Sequence, residues 1–284
     1  MATITNQAAL SYNGITTLSN IAVGELVEVL TVTKTAADTT YTPGSTKTYA
    51  ISLVNSGAAA FTGLTITDTL GSYAFNNGTL YPLTYVTGSL LYYVNGILQA
   101  TPAIADTAPL TVTGLSVPAG GSAMLVYSAT VNEFAPLGVE DSIVNTVSVT
   151  GGGLAAPVTA TETINASTTP QLSISKSICP ATIAENGTLT YTLTLQNRGN
   201  TAATASDELV ITDTFDPILK DLSVSFNGTV WTEGVHYTYD AATGAFATVT
   251  GALTVPAATY TQDAATGIYT VDPGVSNLVI TGML

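Results

Sequence analysis

Cationic side chains are the scarcest resource of this chain. Lys and Arg total 5 against 19 Asp and Glu, a net charge of −14 over 284 residues. Nucleic acid and anionic lipid surfaces need a cationic footprint, so both are poor partners. The acidity itself is read as a solubility device. Cysteine is equally scarce. Cys179 stands alone, which excludes an intramolecular disulfide, and it reads as a small apolar residue near a strand end. His236 is the single histidine, and Trp231 and Tyr237 nearby suit a half-buried strand. No nucleophile–base pair, phosphate loop or zinc spacing is present, so the chain is not expected to be an enzyme acting on an external substrate, and no cofactor or metal site is expected. Asp207, Glu208 and Asp216 flank a strand end and leave calcium open, with a solvated acidic loop as the plainer reading. No apolar run is long enough to span a bilayer as a helix, and the N-terminus lacks the basic and apolar regions of a signal peptide. Export is thus expected by an unusual route or after removal of a signal.

What the chain holds in plenty is apolar, β-branched and turn-forming residues. It is 46% hydrophobic and only 8% charged, rich in Thr, Val, Ser, Ala and Gly. That mixture favours strands joined by tight turns. No stretch carries a helical period. The first dozen residues alternate, with Ile4, Asn6, Ala8, Leu10 and Tyr12 on one face. Asn13-Gly14 then marks a hairpin turn, because both positions tolerate positive φ.

From Leu26 onward a pattern occurs twice. Leu30-Thr-Val-Thr-Lys34-Thr is matched by Leu172-Ser-Ile-Ser-Lys176-Ser. Leu53-Val-Asn-Ser-Gly57 is matched by Leu195-Gln-Asn-Arg-Gly199, and Leu64-Thr-Ile-Thr-Asp68-Thr by Leu209-Val-Ile-Thr-Asp213-Thr. Gly121 to Val131 is matched by Gly274 to Leu284. The first copy continues with a strand from Ile143 to Thr150, a turn at Gly151-Gly-Gly153, and a return from Val158 to Ile164. The N-terminal hairpin has the pattern of that closing pair, with Asn6 where the closing strand has Asn145. We therefore expect an all-β chain of two tandem Ig-like, Greek-key β-sandwiches, each of roughly seven strands. The expected division is a donor hairpin arm at 1–24, a complete sandwich at 25–165, and at 166–284 a sandwich that lacks its last strand.

These motifs resemble a conserved-repeat β-sandwich domain of unknown function, found in tandem in bacterial and archaeal surface proteins. The resemblance rests on Lys34, Tyr41-Thr-Pro-Gly44, Leu53 to Gly57, Ile66-Thr-Asp68-Thr and Val144-Asn145-Thr, and on their counterparts in the second copy. It implies an extracellular or surface location, on a cell or a spore, in a structural or adhesive role.

Strand parity points to the chemistry. Lys34 shares a face with Leu30 and Val32, Asp68 with Leu64, Ile66 and Leu70, and Asn145 with Ile143, Val147 and Val149. In the second copy Lys176 lies with Leu172, Ile174 and Ile178, and Asp213 with Leu209, Ile211 and Phe215. A Lys, an Asp and an Asn facing one core suit an intramolecular isopeptide bond. Burial frees the amine of its proton and keeps the carboxyl protonated, so that Asp68 and Asp213 would promote attack on the carboxamide. Lys34 and Asn145 form the expected crosslink of the first domain, and Lys176 with Asn6 of a neighbouring copy that of the second. Asn277 is a weaker local candidate. The alternative for each trio is a buried ion pair capped by Asn, without a bond.

The expected function is therefore a filament subunit that polymerises head-to-tail with itself, with Ile4, Ala8, Leu10 and Tyr12 filling the groove of the next copy. A surface adhesin, cut from a longer array and with an unknown receptor, is the alternative.

Overall fold

A computed structural model describes residues 2–284. Strands dominate it, and the sole helix among the described residues is a single 3₁₀ turn at Ala205–Asp207. Contacts divide the chain into two compact units. The first takes the chain up to Thr39, then Thr46–Val131 and Val144–Thr163; the second takes Thr40–Ser45, Asn132–Ile143 and Ile164–Leu284.

The arm at the start of the first unit is a hairpin built as two short ladders. Ala9–Tyr12 pairs with Ile15–Leu18 across a turn in which Asn13 and Gly14 both have positive φ, 49° and 76°. This geometry matches the right-handed twist of the flanking strands. Ala2–Asn6 then pairs with Ala22–Leu26, placing Ile4 opposite Gly24 and Asn6 opposite Ala22. Between the two ladders the Ala8 amide donates to the Ser19 hydroxyl at 2.9 Å. Ile4, Leu10, Tyr12, Ile15, Leu18 and Val23 are all exposed, each by more than half.

The body of the first unit is a two-sheet sandwich. One sheet runs, edge to edge, Ile97–Leu98, Leu91–Val94, Ser122–Val131, Thr46–Asn55 and Leu30–Ala36. The other runs Ala103–Thr107, Leu110–Val117, Phe61–Asp68, Ser142–Gly151 and Val158–Ala166. The counts exceed the roughly seven strands expected. The excess arises between Asp68 and Ser122, where short Gly- and Asn-turned strands decorate the sheet edges. Alternation along each strand sorts the residues: Tyr49, Ile51 and Leu53 face in, as do Leu64, Ile66 and Tyr127, all at most 1% exposed.

The second unit repeats this plan with a difference. Its larger sheet has the order Leu172–Cys179, Thr188–Asn197, Gly274–Met283, Lys220–Phe226 and Thr229–Val230. Facing it is a three-stranded sheet, Thr212–Thr214, Ala245–Thr248 and Tyr237–Asp240. Its core includes Leu193, Phe215, Val224, Phe246, Leu278 and Ile280.

Two buried asparagines explain part of the repeated pattern. Asn55 donates to the Ala59 and Pro118 carbonyls at 2.8 and 2.9 Å and accepts from the Gly57 amide at 2.9 Å. Asn197 does the same with Thr201, Pro256 and Gly199, at 2.7, 3.0 and 2.9 Å. Each is a side-chain staple between loops, so the Asn-x-Gly motif is structural. Gly199 is required by space: a Cβ there would lie 2.3 Å from the Thr169 carbonyl oxygen.

A buried Lys–Asp–Tyr–Asn cluster and an uncovered counterpart

Three strands of the first unit bring Lys34, Asp68 and Asn145 to one place in the core. Lys34 is set on the edge strand opposite Ile51, and Val147, two residues after Asn145, is opposite Asp68. The Lys34 ammonium contacts the Asp68 carboxylate, and neither side chain has any solvent exposure. The stacked rings of Tyr49 and Tyr127, 5.5 Å apart, wall the ammonium at 5.0 and 5.9 Å from their centroids.

Tyr127 is not singled out by any motif, yet it is the hub of the cluster. Its hydroxyl donates to Asp68 Oδ2 at 2.7 Å, lies 3.4 Å from Lys34 Nζ, and accepts from Asn145 Nδ2 at 3.2 Å. Parity alone could have placed it inward, but an inward Tyr reads as ordinary core. On the far side, Asn145 Oδ1 accepts from the Gly71 amide at 3.2 Å and the Thr69 hydroxyl at 3.3 Å. Leu70 and Gly71 are both left-handed, with φ of 52° and 71°. That bend returns the chain so that the Leu70 amide reaches Asp68 Oδ1 at 3.0 Å while the Gly71 amide reaches Asn145.

The electrostatics follow from burial. Desolvation pulls the Lys34 ammonium down to about 8, against the opposing pull of Asp68. Burial, reinforced by the Asp68 charge, pushes the hydroxyls of Tyr49 and Tyr127 well above the usual tyrosine range. An amine that gives up its proton more readily than usual thus lies against the same tyrosine hydroxyl as a carboxamide whose oxygen two donors already hold, groups of the kind that acyl transfer uses.

The second unit holds the same pair without its cover. Lys176 contacts Asp213, and its ammonium lies 4.4 Å from the Tyr191 centroid and 5.4 Å from that of Phe215. But the Lys176 side chain is 38% exposed, and Leu172, Ile174 and Ile178 beside it are exposed as well. In the first unit the Asp68 strand is flanked on both sides, by Leu110–Val117 and Ser142–Gly151. The Asp213 strand pairs with Ala245–Thr248, and among the described residues no strand lies along its other side. A cavity of about 200 Å³ is lined by Leu172, Ile174, Leu195 and Leu253 together with Leu209 and Ile211, which lead into that strand. Two further residues differ from the first unit. By the matching ladders, Ile280 opposite Tyr191 replaces Tyr127 opposite Tyr49. Asp216 follows Phe215 where Gly71 follows Leu70, and neither Phe215 nor Asp216 is left-handed.

Asn6 lies in the exposed arm, paired with Ala22, and Ala8, the fourth of the expected groove fillers, is exposed beside it. Asn277 is engaged elsewhere, accepting from the Thr194 hydroxyl and donating its amide to Asn227, both at 2.8 Å. The remaining candidates lie apart from these two centres. His236 stacks on Trp231 at 5.3 Å and accepts from the Thr232 amide. Asp207 accepts from the Thr204 amide and hydroxyl. Cys179 is exposed at the end of its strand. Among the described residues no three His, Cys, Asp or Glu side chains converge as a metal site, and no helix is long and apolar enough to cross a membrane.

Compared with known families and with curated proteins, the chain has no match. Solved structures give weak likenesses. The major pilin subunit BcpA of Bacillus cereus is 13% identical with a TM-score of 0.37, over 96% of this chain and 73% of that one. The pilus backbone RrgB of Streptococcus pneumoniae is 13% identical with a TM-score of 0.33, over 86% of this chain, which spans 56% of RrgB. A C-terminal fragment of the major pilin GBS80 of Streptococcus agalactiae is 13% identical with a TM-score of 0.35, over 79% of each chain. At such scores the likenesses decide nothing about function.

Proposed function

We propose that this chain is the structural subunit of an extracellular filament, polymerising head-to-tail by placing its N-terminal hairpin in the open groove of the second unit of the next copy. The observation that carries the reading is the pairing of two uncovered features in one chain. One is the half-exposed Lys176–Asp213 pair with the unpaired edge of the Asp213 strand and the apolar cavity lined by Leu172, Ile174, Leu209 and Ile211; the other is a preformed hairpin whose Ile4, Leu10 and Tyr12 face solvent. Unpaired edges and apolar grooves are liabilities that a protein covers.

The first unit supplies the template. There the Ser142–Gly151 strand lies beside the Asp68 strand, with Val158–Ala166 outside it. Its register sets Val147 opposite Asp68 and Val149 opposite Ile66. Transferred to the second unit, that register sets Ala8 of the incoming arm opposite Asp213 and Leu10 opposite Ile211, with Asn6 facing Lys176. A contact of this kind joins unlike surfaces and propagates into an open fibre.

Within the first unit we further propose that Lys34 and Asn145 join as an amide, with release of ammonia. Lys176 and Asn6 are the corresponding pair between copies.

The decisive experiment compares the wild type, a variant lacking residues 2–14, and Lys176→Ala, by electron microscopy and by boiling in detergent. Filaments from the wild type and none from the truncated chain are expected. Filaments from the truncated chain would overturn the donor-arm reading. A ladder surviving boiling in the wild type but not in Lys176→Ala is expected for covalent joints; collapse of both to monomer would restrict the joints to non-covalent ones.

A further inference from the structure

Resting on the reading that Lys34 and Asn145 form an amide, we infer that Tyr127 carries the proton to the departing nitrogen and that the Thr69 hydroxyl and Gly71 amide form the pocket for the developing oxyanion. The division of labour is visible in the contacts. Asp68 does not touch the Asn145 oxygen in the hydrogen-bond pattern; Gly71 and Thr69 do. Thr69 Oγ1 accepts from the Thr146 amide at 3.0 Å, which leaves its own proton free to be aimed at Asn145 Oδ1. Asn145 Nδ2, the atom that must leave, lies 3.2 Å from the Tyr127 oxygen, and that hydroxyl's proton points at Asp68 Oδ2, 2.7 Å away.

The steps balance as follows. Asp68 takes a proton from the Lys34 ammonium, leaving a neutral amine and a neutral acid. The Nζ lone pair attacks Asn145 Cγ, and the C=O π electrons move onto Oδ1, held by Gly71 N–H and Thr69 O–H. Asp68 passes its proton to the Tyr127 oxygen as Tyr127 passes its own to Nδ2, so the tyrosine ends as it began. The attacking nitrogen, now cationic, returns a proton to Asp68. The oxyanion electrons re-form C=O, the Cγ–Nδ2 bond breaks, and Nδ2 departs as ammonia. No oxidant or external co-reactant is consumed. The hydroxyl acts as a neutral bridge and never needs to become phenolate, in keeping with its burial.

The inference is tested on the full chain made by cell-free synthesis, with aliquots quenched in acid and the Lys34–Asn145 crosslinked peptide quantified by mass spectrometry. Tyr127→Phe and Thr69→Val should each slow bond formation on the order of 10²-fold. Thr69→Ser should restore most of the rate. Tyr92→Phe, which removes another buried tyrosine hydroxyl bonded to the Ser116 carbonyl at 2.7 Å, should leave the rate unchanged. Circular dichroism on the same samples reads folding. Fluorotyrosine at position 127 keeps the ring and the hydroxyl but makes it more acidic, so the rate should shift several-fold even where the phenylalanine variant fails to fold. A wild-type rate in Tyr127→Phe, or no shift with fluorotyrosine, overturns the proton carrier. A wild-type rate in Thr69→Val overturns the oxyanion pocket. A wild-type chain without the crosslinked peptide overturns the amide reading itself and this inference with it.

Discussion

Asp68 and Asn145 share one hydroxyl: Tyr127 donates to the carboxylate at 2.7 Å and accepts from the carboxamide at 3.2 Å. The acid and the amide therefore both bond to one phenol oxygen, while the Lys34 amine touches the acid directly and lies 3.4 Å from that oxygen. This arrangement separates the centre of the first unit from that of the second, where an isoleucine takes the place of the phenol.

Removal of either end of the proposed bond should be felt as stability. The amide would close a loop of roughly 110 residues, a constraint on the unfolded chain worth about 5 kcal/mol by loop-closure reasoning. Lys34→Ala and Asn145→Ala should each lose the ammonia-loss signature in the intact mass and unfold at markedly lower denaturant. An Asn145→Ala variant as stable as the wild type contradicts the bond.

Without the bond, pH becomes a probe of Lys34. In Asn145→Ala the amine stays free, with a folded value near 8 against 10.5 unfolded. Between these values the unfolded chain binds more protons, so stability should rise with pH above about 8, by at most ~1.4 kcal/mol for each pH unit. Above pH 10 the trend should reverse, because the tyrosines ionise when unfolded while Tyr49 and Tyr127 resist it when folded. Denaturant melts across this range check the profile, and the rising limb should vanish when Lys34→Met is added.

Single changes in the arm should separate assembly from folding. Leu10→Asp and Tyr12→Ser alter residues exposed in the isolated chain, 63% and 54%, so monomer stability should change by no more than about 0.5 kcal/mol. Assembly followed by light scattering should fall at least tenfold in rate. Unchanged assembly would remove these residues from the proposed contact.

The loop staples should behave as purely structural elements. Asn197→Ala strands the Gly199 amide and the Thr201 and Pro256 carbonyls, and should cost about 3 kcal/mol in equilibrium unfolding of the second unit. The matching change at Asn55 should do the same in the first.

Strand alternation and the repeat made the all-β class and the inward placement of Lys34, Asp68 and Asn145 readable in the chain itself, because burial on one face leaves a period of two. The Asn13-Gly14 turn was readable for a different, local reason: both residues tolerate positive φ. Three features were not. Tyr127 as hub is set by the register of three strands distant in sequence. The pocket at Thr69 and Gly71 depends on a left-handed bend that Leu70, a residue disfavoured there, gives no hint of. The additional edge strands of the first unit come from short segments too brief to carry a period. Asn55 and Asn197 were visible as a motif, but only the loops they tie together identify them as staples.

The closeness of Lys34 and Asn145 has a mechanical meaning. One lies at the start of the first sandwich and the other near its close, with most of that body strung between them. With the amide in place, tension entering along the Lys34 strand and leaving along the Asn145 strand would pass through a single covalent strut. The intervening strands would then hang slack beside the load path, and the first unit would behave under force as a short inextensible link.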